Sequence, residues 1–242
     1  MARAKFTDRV TTADASKMPQ EYRDLVIRLL TIQADCEIGG PNAYGAHWCL
    51  DAPTLEDMIR VTGIIRQELE HFQAFNEVLR ALGADRTDLL HRPPAERYVD
   101  AFRASSPATW ADVAAFCCLI DRVGAYQVAE MVDSSLLALD DILPDIAREE
   151  EGHVRFGARR LGDLAANPET KPAAQAAVTR WYPRALDMFG KSASARAERY
   201  VEWGLKKRLN EEGRRDYISE VRPILQGMGL YVPVDTYDRR YP

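Results

Sequence analysis

Two glutamate–histidine pairs in this sequence share one spacing. Glu68 and His71 stand three apart within Arg66-Gln67-Glu68-Leu69-Glu70-His71, and Glu150 and His153 repeat that interval within Arg148-Glu149-Glu150-Glu151-Gly152-His153. On a helix, residues i and i+3 lie on one face, roughly 5–6 Å apart at Cβ, so a carboxylate and an imidazole reach one metal ion together. A lone pair of this kind is most simply a surface ion pair. Two of them, completed by one carboxylate from each of two further helices, make a dinuclear metal site inside a helical bundle.

The elements that must supply those carboxylates can be read from the apolar spacing. Between Pro19 and Ile38, Tyr22, Val26, Leu29, Leu30 and Gln33 follow a helical stripe, and Glu37 falls on the same face. A carboxylate aimed at a core is costly unless it is paired or bound to metal. Gly39-Gly40-Pro41-Asn42 is expected to break this helix, and residues 41–53 to form a loop. His47 in that loop reads as a surface or packing histidine, or as part of an entrance. Thr54 then caps a second helix with Asp57 in the capping-box position. Its inner stripe runs Met58, Val61, Ile65, Glu68, Phe72, Phe75 and Leu79, with Glu70 and Glu77 outward.

Residues 84–108 read as the long crossover between two helical hairpins. Thr109 and Asp112 open a third helix in which eight uncharged residues, Val113 to Ile120, precede Asp121. Glu130 is its competitor. The two are nine residues apart, about half a turn out of phase at 3.6 residues per turn, so both cannot face one site. Glu37 precedes Glu68 by 31 residues and Asp121 precedes Glu150 by 29, whereas Glu130 precedes Glu150 by only 20. That near-equality favours Asp121 and a pseudo-twofold pair of hairpins. The third helix is expected to end near Leu139-Asp140-Asp141. Pro144 starts the fourth, whose stripe is Ile146, Glu150, His153, Gly157, Leu161 and Leu164.

The expected fold is therefore all-α: a ferritin-like four-helix bundle with a long crossover and additional C-terminal helices. Residues 1–18 form an N-terminal arm, and residues 19–242 a single domain. The later helices are expected over Pro172–Phe189 and Ala193–Gln226, the latter broken near Asn210–Gly213, before an extended aromatic tail from Gly227. The proposed metal ligands, and with them the catalytic residues, are Glu37, Glu68, His71, Asp121, Glu150 and His153. Four carboxylates balance two divalent ions, and without metal they repel, so that some should hold protons. Mixed carboxylate and imidazole ligation with open positions suits two iron ions that activate O2, with manganese the alternative. Gln67 and Glu149 can each reach the histidine of the opposite hairpin as its outer hydrogen-bond acceptor. An ordinary polar boundary explains them equally well.

Composition narrows the class. With 46% apolar and 29% charged residues the chain is an ordinary globular protein. A formal charge of -5 gives no basic surface for nucleic acid. The absence of an apolar run of about 18 residues predicts no membrane span. Nothing at Met1–Lys5 resembles a secretory signal, so a cytoplasmic location is expected. Cys36, Cys49, Cys117 and Cys118 form no metal-binding spacing, and the adjacent Cys117 and Cys118, in an apolar helical run, read as small buried side chains. Cys36, Phe72, Cys117 and Tyr126 are candidate liners of an apolar pocket beside the metals.

Beyond the ligands, the sequence resembles the catalytic subunit of the phenylacetic acid catabolism family. The resemblance lies in Met18-Pro19 with Tyr22-Arg23, Glu37-Ile38, Ala52-Pro53-Thr54-Leu55, Glu68 with His71, and Trp110-Ala111-Asp112. It continues through Leu119-Ile120-Asp121, Glu149-Glu150 with His153, Arg180-Trp181, Met188-Phe189-Gly190 and Gly229 to Pro233. The resemblance implies a di-iron monooxygenase that epoxidises or hydroxylates an aromatic or unsaturated small molecule, CoA-linked in that family. O2 is its co-substrate, and electrons come from a separate reductase. A related structural subunit, or a second copy, is the implied oligomeric partner. Three departures stand out: the sequence stops at Pro242 where the family continues, Gln67 replaces a typical aspartate, and Gly39–Cys49 differs. No local run of basic residues marks a CoA-phosphate site. Competing functions are an iron-oxidising or peroxide-consuming protein of ferritin or rubrerythrin type, and a non-catalytic partner subunit.

Overall fold

The structure, a computed structural model, describes residues 6–44, 48–103 and 107–241, the side chains of residues 42–44, 48 and 49 excepted. Among these residues it is all-α, with one isolated parallel bridge between Val10 and Leu136. The longer helices are α1 (Gln20–Tyr44), α2 (Leu55–Ala81), α3 (Trp110–Met131), α4 (Leu143–Ala166), α5 (Lys171–Met188), α6 (Ala195–Glu202) and α7 (Asn210–Gly227). The first four form a ferritin-like helical bundle.

Polar contacts give their directions. Arg23 on α1 donates to the Leu82 carbonyl just past α2, while Glu37, later on α1, meets His71, earlier on α2. Between α2 and α4, Asp57 meets Arg160, Gln67 meets His153, and His71 meets Glu149. One number rises as the other falls, so these neighbours run antiparallel. The same holds for α3 and α4, where Gly157 lies against Cys117 and Cys118, and Gly124 against Glu150.

Local chemistry explains the helix starts. Thr54 and Thr109 each accept a hydrogen bond from the backbone N–H three residues on, that of Asp57 and Asp112 respectively. Both aspartates are buried, and each is also tied to a distant arginine, Arg160 at 2.6 Å and Arg180 at 2.8 Å. Each cap thus also fixes how two helices pack.

Several boundaries differ from expectation. α1 runs through Gly39, Gly40 and Pro41 to Tyr44 instead of stopping at Gly39. A Cβ at Gly39 would lie 2.7 Å from the Phe102 ring, so the glycine lets the crossover seat an aromatic on the helix, and tertiary packing overrides weak propensity. Pro41 lacks the N–H that would bond the carbonyl of Glu37. The helix therefore takes up the first part of the expected loop, and Trp48–Asp51 forms one further helical turn; His47 lies outside the described residues. α3 ends at Met131 and not near Leu139, because Asp133 takes a left-handed turn and Ser135 bonds the Gly204 carbonyl. The late break falls at residues 203–209, with Gly213 inside α7 against Phe189. The described residues between 84 and 108 carry three short 3-10 turns, at Thr87–His91, Pro94–Glu96 and Asp100–Phe102.

Two apolar clusters fill the bundle. One gathers Phe116, Trp181, Tyr182 and Tyr217; the other gathers Tyr22, Val26, Phe75 and Leu79. α2 passes from the first at Ile64 to the second at Phe72, and α4 from the second at Ile146 to the first at Leu161. The acids and histidines occupy the layer between. The N-terminal arm joins the second cluster through Val10, with Phe6 packed on Tyr22 and Trp203. In the tail, Leu230 and Val232 are buried in the first cluster, whereas Tyr231 and Val234 are exposed.

Candidate metal centre

Each of the four bundle helices turns an acid inward, and the reason is helical phase. Glu37 extends the stripe of Tyr22, Val26, Leu30 and Gln33, all buried on α1. Glu68 and His71 continue Val61 and Ile64 on α2, and Glu150 and His153 sit between Ile146 and Gly157 on α4. Glu37, Glu68, His71 and Glu150 place one ligand atom each within 4.8 Å of one another, all buried. His153 joins them with Nδ1 3.1 Å from Glu68 Oε1. Asp121 is buried and lines the same small cavity as Glu37, Glu68 and Glu150. Glu130, the alternative on α3, faces away and binds Arg208 at 2.6 Å.

Glu150 lies between the imidazoles. Its Oε1 is 3.6 Å from His71 Nδ1, and its Oε2 is 3.9 Å from His153 Nδ1. Glu37 Oε2 is 3.3 Å from His71 Nδ1, and Gln33 donates to the other Glu37 oxygen at 2.6 Å. A Cβ at Gly124 would come 3.2 Å from Glu150 Oε2, so this glycine, one turn beyond Asp121, keeps space for the carboxylate.

The outer nitrogens settle the histidine tautomers. His71 Nε2 is 2.9 Å from Glu149 Oε2, and His153 Nε2 is 3.0 Å from Gln67 Oε1. Glu149 and, with its Oε1 toward His153, Gln67 are placed as acceptors, so each Nε2 donates outward and each Nδ1 is turned toward the acids. His71 Nδ1, His153 Nδ1, Glu150 Oε2 and Asp121 Oδ2 are buried without a hydrogen-bond partner. Atoms of this kind, left unpartnered and converging from three helices, fit a metal ion that would take their lone pairs. Each outer acceptor comes from the hairpin opposite its histidine, the arrangement expected of Gln67 and Glu149.

Electrostatics agree with that fit. Burial, then the charges of Glu150, Glu37 and Asp121, hold the Glu68 carboxyl well above the usual range. Burial and the charge of Glu37 push Asp121 up to about 7, against an opposing hydrogen bond from Cys117. Glu150 is raised by burial and by Glu37, Asp121 and Glu149. Burial works against a charged His71, but the Glu37 and Glu149 carboxylates beside it outweigh burial and raise its pKa. His153 is pushed down to about 3 by burial, the charge on His71, and Arg60. Divalent cations at the centre would offset the repulsion among the acids.

The cavity beside the cluster is small, about 30 Å³, with Cys36, Phe102, Phe116, Ile120 and Met188 among its apolar walls. Of the expected pocket residues only Cys36 lines it. Phe72 belongs to the apolar core, Cys117 bonds Asp121, and Tyr126 turns outward to donate to Glu220 at 2.6 Å. A groove of about 430 Å³ shares Gln33, Cys36 and Met188 with this cavity, and its walls carry Arg28, Lys191, Arg196 and Lys206. These cations come from three separate stretches, around Arg28, Lys191 to Arg196, and Lys206, so no local run marks them. Only the fold gathers them at one opening.

A model of the family described as phenylacetic acid catabolic protein matches residues 3–240. The chain belongs to that family. Two relatives fit the assignment. One of the subunits of 1,2-phenylacetyl-CoA epoxidase from Escherichia coli (strain K12) is 27% identical over 220 residues, covering 89% of this chain and 71% of the relative. Benzoyl-CoA oxygenase component B from Aromatoleum evansii is 25% identical over 225 residues, covering 81% of this chain and 47% of the relative. The chain thus spans under half the length of the second. Both names describe components of enzymes that oxygenate an aromatic CoA thioester. Among the described residues no helix is long and apolar enough to cross a membrane.

Proposed function

We propose that this chain is the oxygen-activating component of a di-iron monooxygenase acting on an aromatic acyl-CoA. The carrying observation is the buried cluster of Glu37, Glu68, His71 and Glu150, with Asp121 and His153 at its edge, in a chain of the phenylacetic acid catabolic family. Glu37, Glu68, His71, Asp121, Glu150 and His153 would hold two iron ions, which supply the redox chemistry that activates O2. The net reaction adds one oxygen atom to the substrate and releases the other as water, consuming two electrons and two protons. Carboxylate and imidazole side chains donate no electrons of their own, so a separate reductase supplies them. The names of the relatives also support assembly with other subunits.

The remaining residues of the site bind, orient and exclude. Glu149 and Gln67 hold the imidazoles with Nδ1 inward. Gln33 steadies Glu37 through its 2.6 Å bond. Phe102, Phe116 and Ile120 exclude bulk water from the small cavity, which strengthens every charge interaction inside it. In the groove, Arg28, Lys191, Arg196 and Lys206 offer cations to the phosphates of CoA. The acyl end then enters between Gln33, Cys36 and Met188, where the flexible thioether of Met188 can make room for a ring.

A second reading takes the cavity at its present size. About 30 Å³ holds a water and not a ring, as an iron-oxidising protein of ferritin or rubrerythrin type would require. A single-turnover experiment separates the two. Protein loaded anaerobically with ferrous iron is mixed with benzoyl-CoA or phenylacetyl-CoA and 18O2, and the products are weighed by mass spectrometry. One 18O atom in the acyl group supports the oxygenase. Iron oxidation with no labelled product for either thioester supports the second reading.

A further inference from the structure

The two imidazoles of the cluster are held alike at Nε2 but by acceptors of different charge. Behind His71 stands the Glu149 carboxylate at 2.9 Å, on a side chain 26% exposed. Behind His153 stands the neutral amide oxygen of Gln67 at 3.0 Å. An ionised acceptor forms a hydrogen bond about twice as strong as a neutral one. It draws the Nε2 proton outward and makes Nδ1 a better electron donor to whatever it ligates. A second difference points the same way. Arg60 exerts a repulsive charge on His153, and its guanidinium reaches α4 at Gly152, where a Cβ would lie only 2.9 Å from Nη2. One imidazole therefore has an anion behind it, the other a neutral amide and a nearby cation.

Building on the proposed paired-metal site, we infer that its two positions are unequal: the ion at His71 is held tightly, and the ion at His153 weakly. Gln67 is the residue that sets this difference, acting through His153 as a positioning residue. Its amide orientation matters as well as its charge. Turned over, the amide would present NH2 to Nε2, force the imidazole proton onto Nδ1 and remove that atom as a ligand.

The test titrates Mn2+ into chelator-stripped protein by calorimetry, with Mössbauer spectra of the 57Fe-loaded diferrous form as a second readout. The wild type should bind two ions in steps at least about tenfold apart and show two distinct doublets. Outer-partner changes at metal-bound histidines typically alter affinity by about 10–100-fold, which sets the expected shifts. Glu149→Gln should weaken the tighter step by that factor and bring the two together. Gln67→Glu, nearly the same size, should instead strengthen the weaker step and merge the doublets. Gln67→Leu should weaken the weaker step further by the same factor while leaving the tighter one, with helicity and melting temperature recorded to show that it folds. Equal affinities in the wild type, or a Gln67→Leu variant that weakens both steps alike, would overturn the inference while leaving the paired site standing. Fewer than two ions bound by the wild type would overturn both.

Discussion

Four acids packed around so small a space repel one another, and in the metal-free protein burial and that repulsion favour the protonated carboxyls of Glu68, Asp121 and Glu150. The pH dependence follows from the sign of each shift. A carboxyl whose pKa is raised on folding stabilises fully below its unfolded value, and that contribution is lost as pH rises through the folded value. Asp121, at about 7, and the raised Glu68 and Glu150 all act this way. His71, also raised, adds the same sign. His153, depressed to about 3, has the opposite sign, but its slope fades above its unfolded value of about 6.5 and the three carboxyls outweigh it there. Lys206, lowered by burial to about 8, gains stability only above that value. The melting temperature of chelator-treated protein should therefore fall between about pH 6.5 and pH 8, and saturating Mn2+ should flatten the curve. A chelated protein that melts higher at the upper end of that window would contradict the proposed site. Glu150→Ala and His153→Ala should each end paired-metal binding, measured as metal per chain after desalting.

The helices position these groups through contacts that tolerate little change. Gly157 lets α4 lie directly on α3: a Cβ there would come 2.3 Å from the Cys118 nitrogen and 2.5 Å from the Cys117 carbonyl carbon. Both are backbone atoms, so the helices themselves must separate. Gly157→Ala should cost about 1–3 kcal/mol in denaturant unfolding and, by moving Asp121 away from Glu150, lower metal stoichiometry. Beside the site, Asp35 and Arg97 form a buried pair at 2.9 Å, and the second Asp35 oxygen accepts from the Tyr98 backbone. This pair pins the crossover to α1 two residues before Glu37. Asp35→Ala leaves an arginine buried without its partner, and the expected loss is about 3–5 kcal/mol. The same urea titration reads it.

Across the whole molecule, cations scattered through an acidic chain are brought to one opening. Arg28 lies on α1, Lys191 and Arg196 on either side of the turn into α6, and Lys206 in the break before α7. If they hold CoA phosphates, Arg28→Ala with Arg196→Ala should raise KM for the acyl-CoA at least about tenfold with little change in kcat. The penalty should shrink in high salt, because exposed charges are screened beyond about 10 Å at 0.1 M ionic strength. An unchanged KM in the double variant would move the thioester site elsewhere.

Helical phase fixed much of this protein in advance. The period of the apolar residues tells which acids point inward, the Glu-x-x-His repeat marks both histidines, and half a turn of phase keeps Asp121 and Glu130 from facing one site, while matched separations favour Asp121. The glycines and Pro41 misled, because their effect on a helix depends on what packs against them, and Phe102 against Gly39 is a contact across 63 residues of chain. The end of α3 was hidden for the same reason, since Gly204 and Val10 divert the strand-like segment after Met131. Periodic burial is a local property and leaves its mark in every turn of a helix. A groove of arginines and lysines drawn from remote segments has no period, and only the folded chain assembles it.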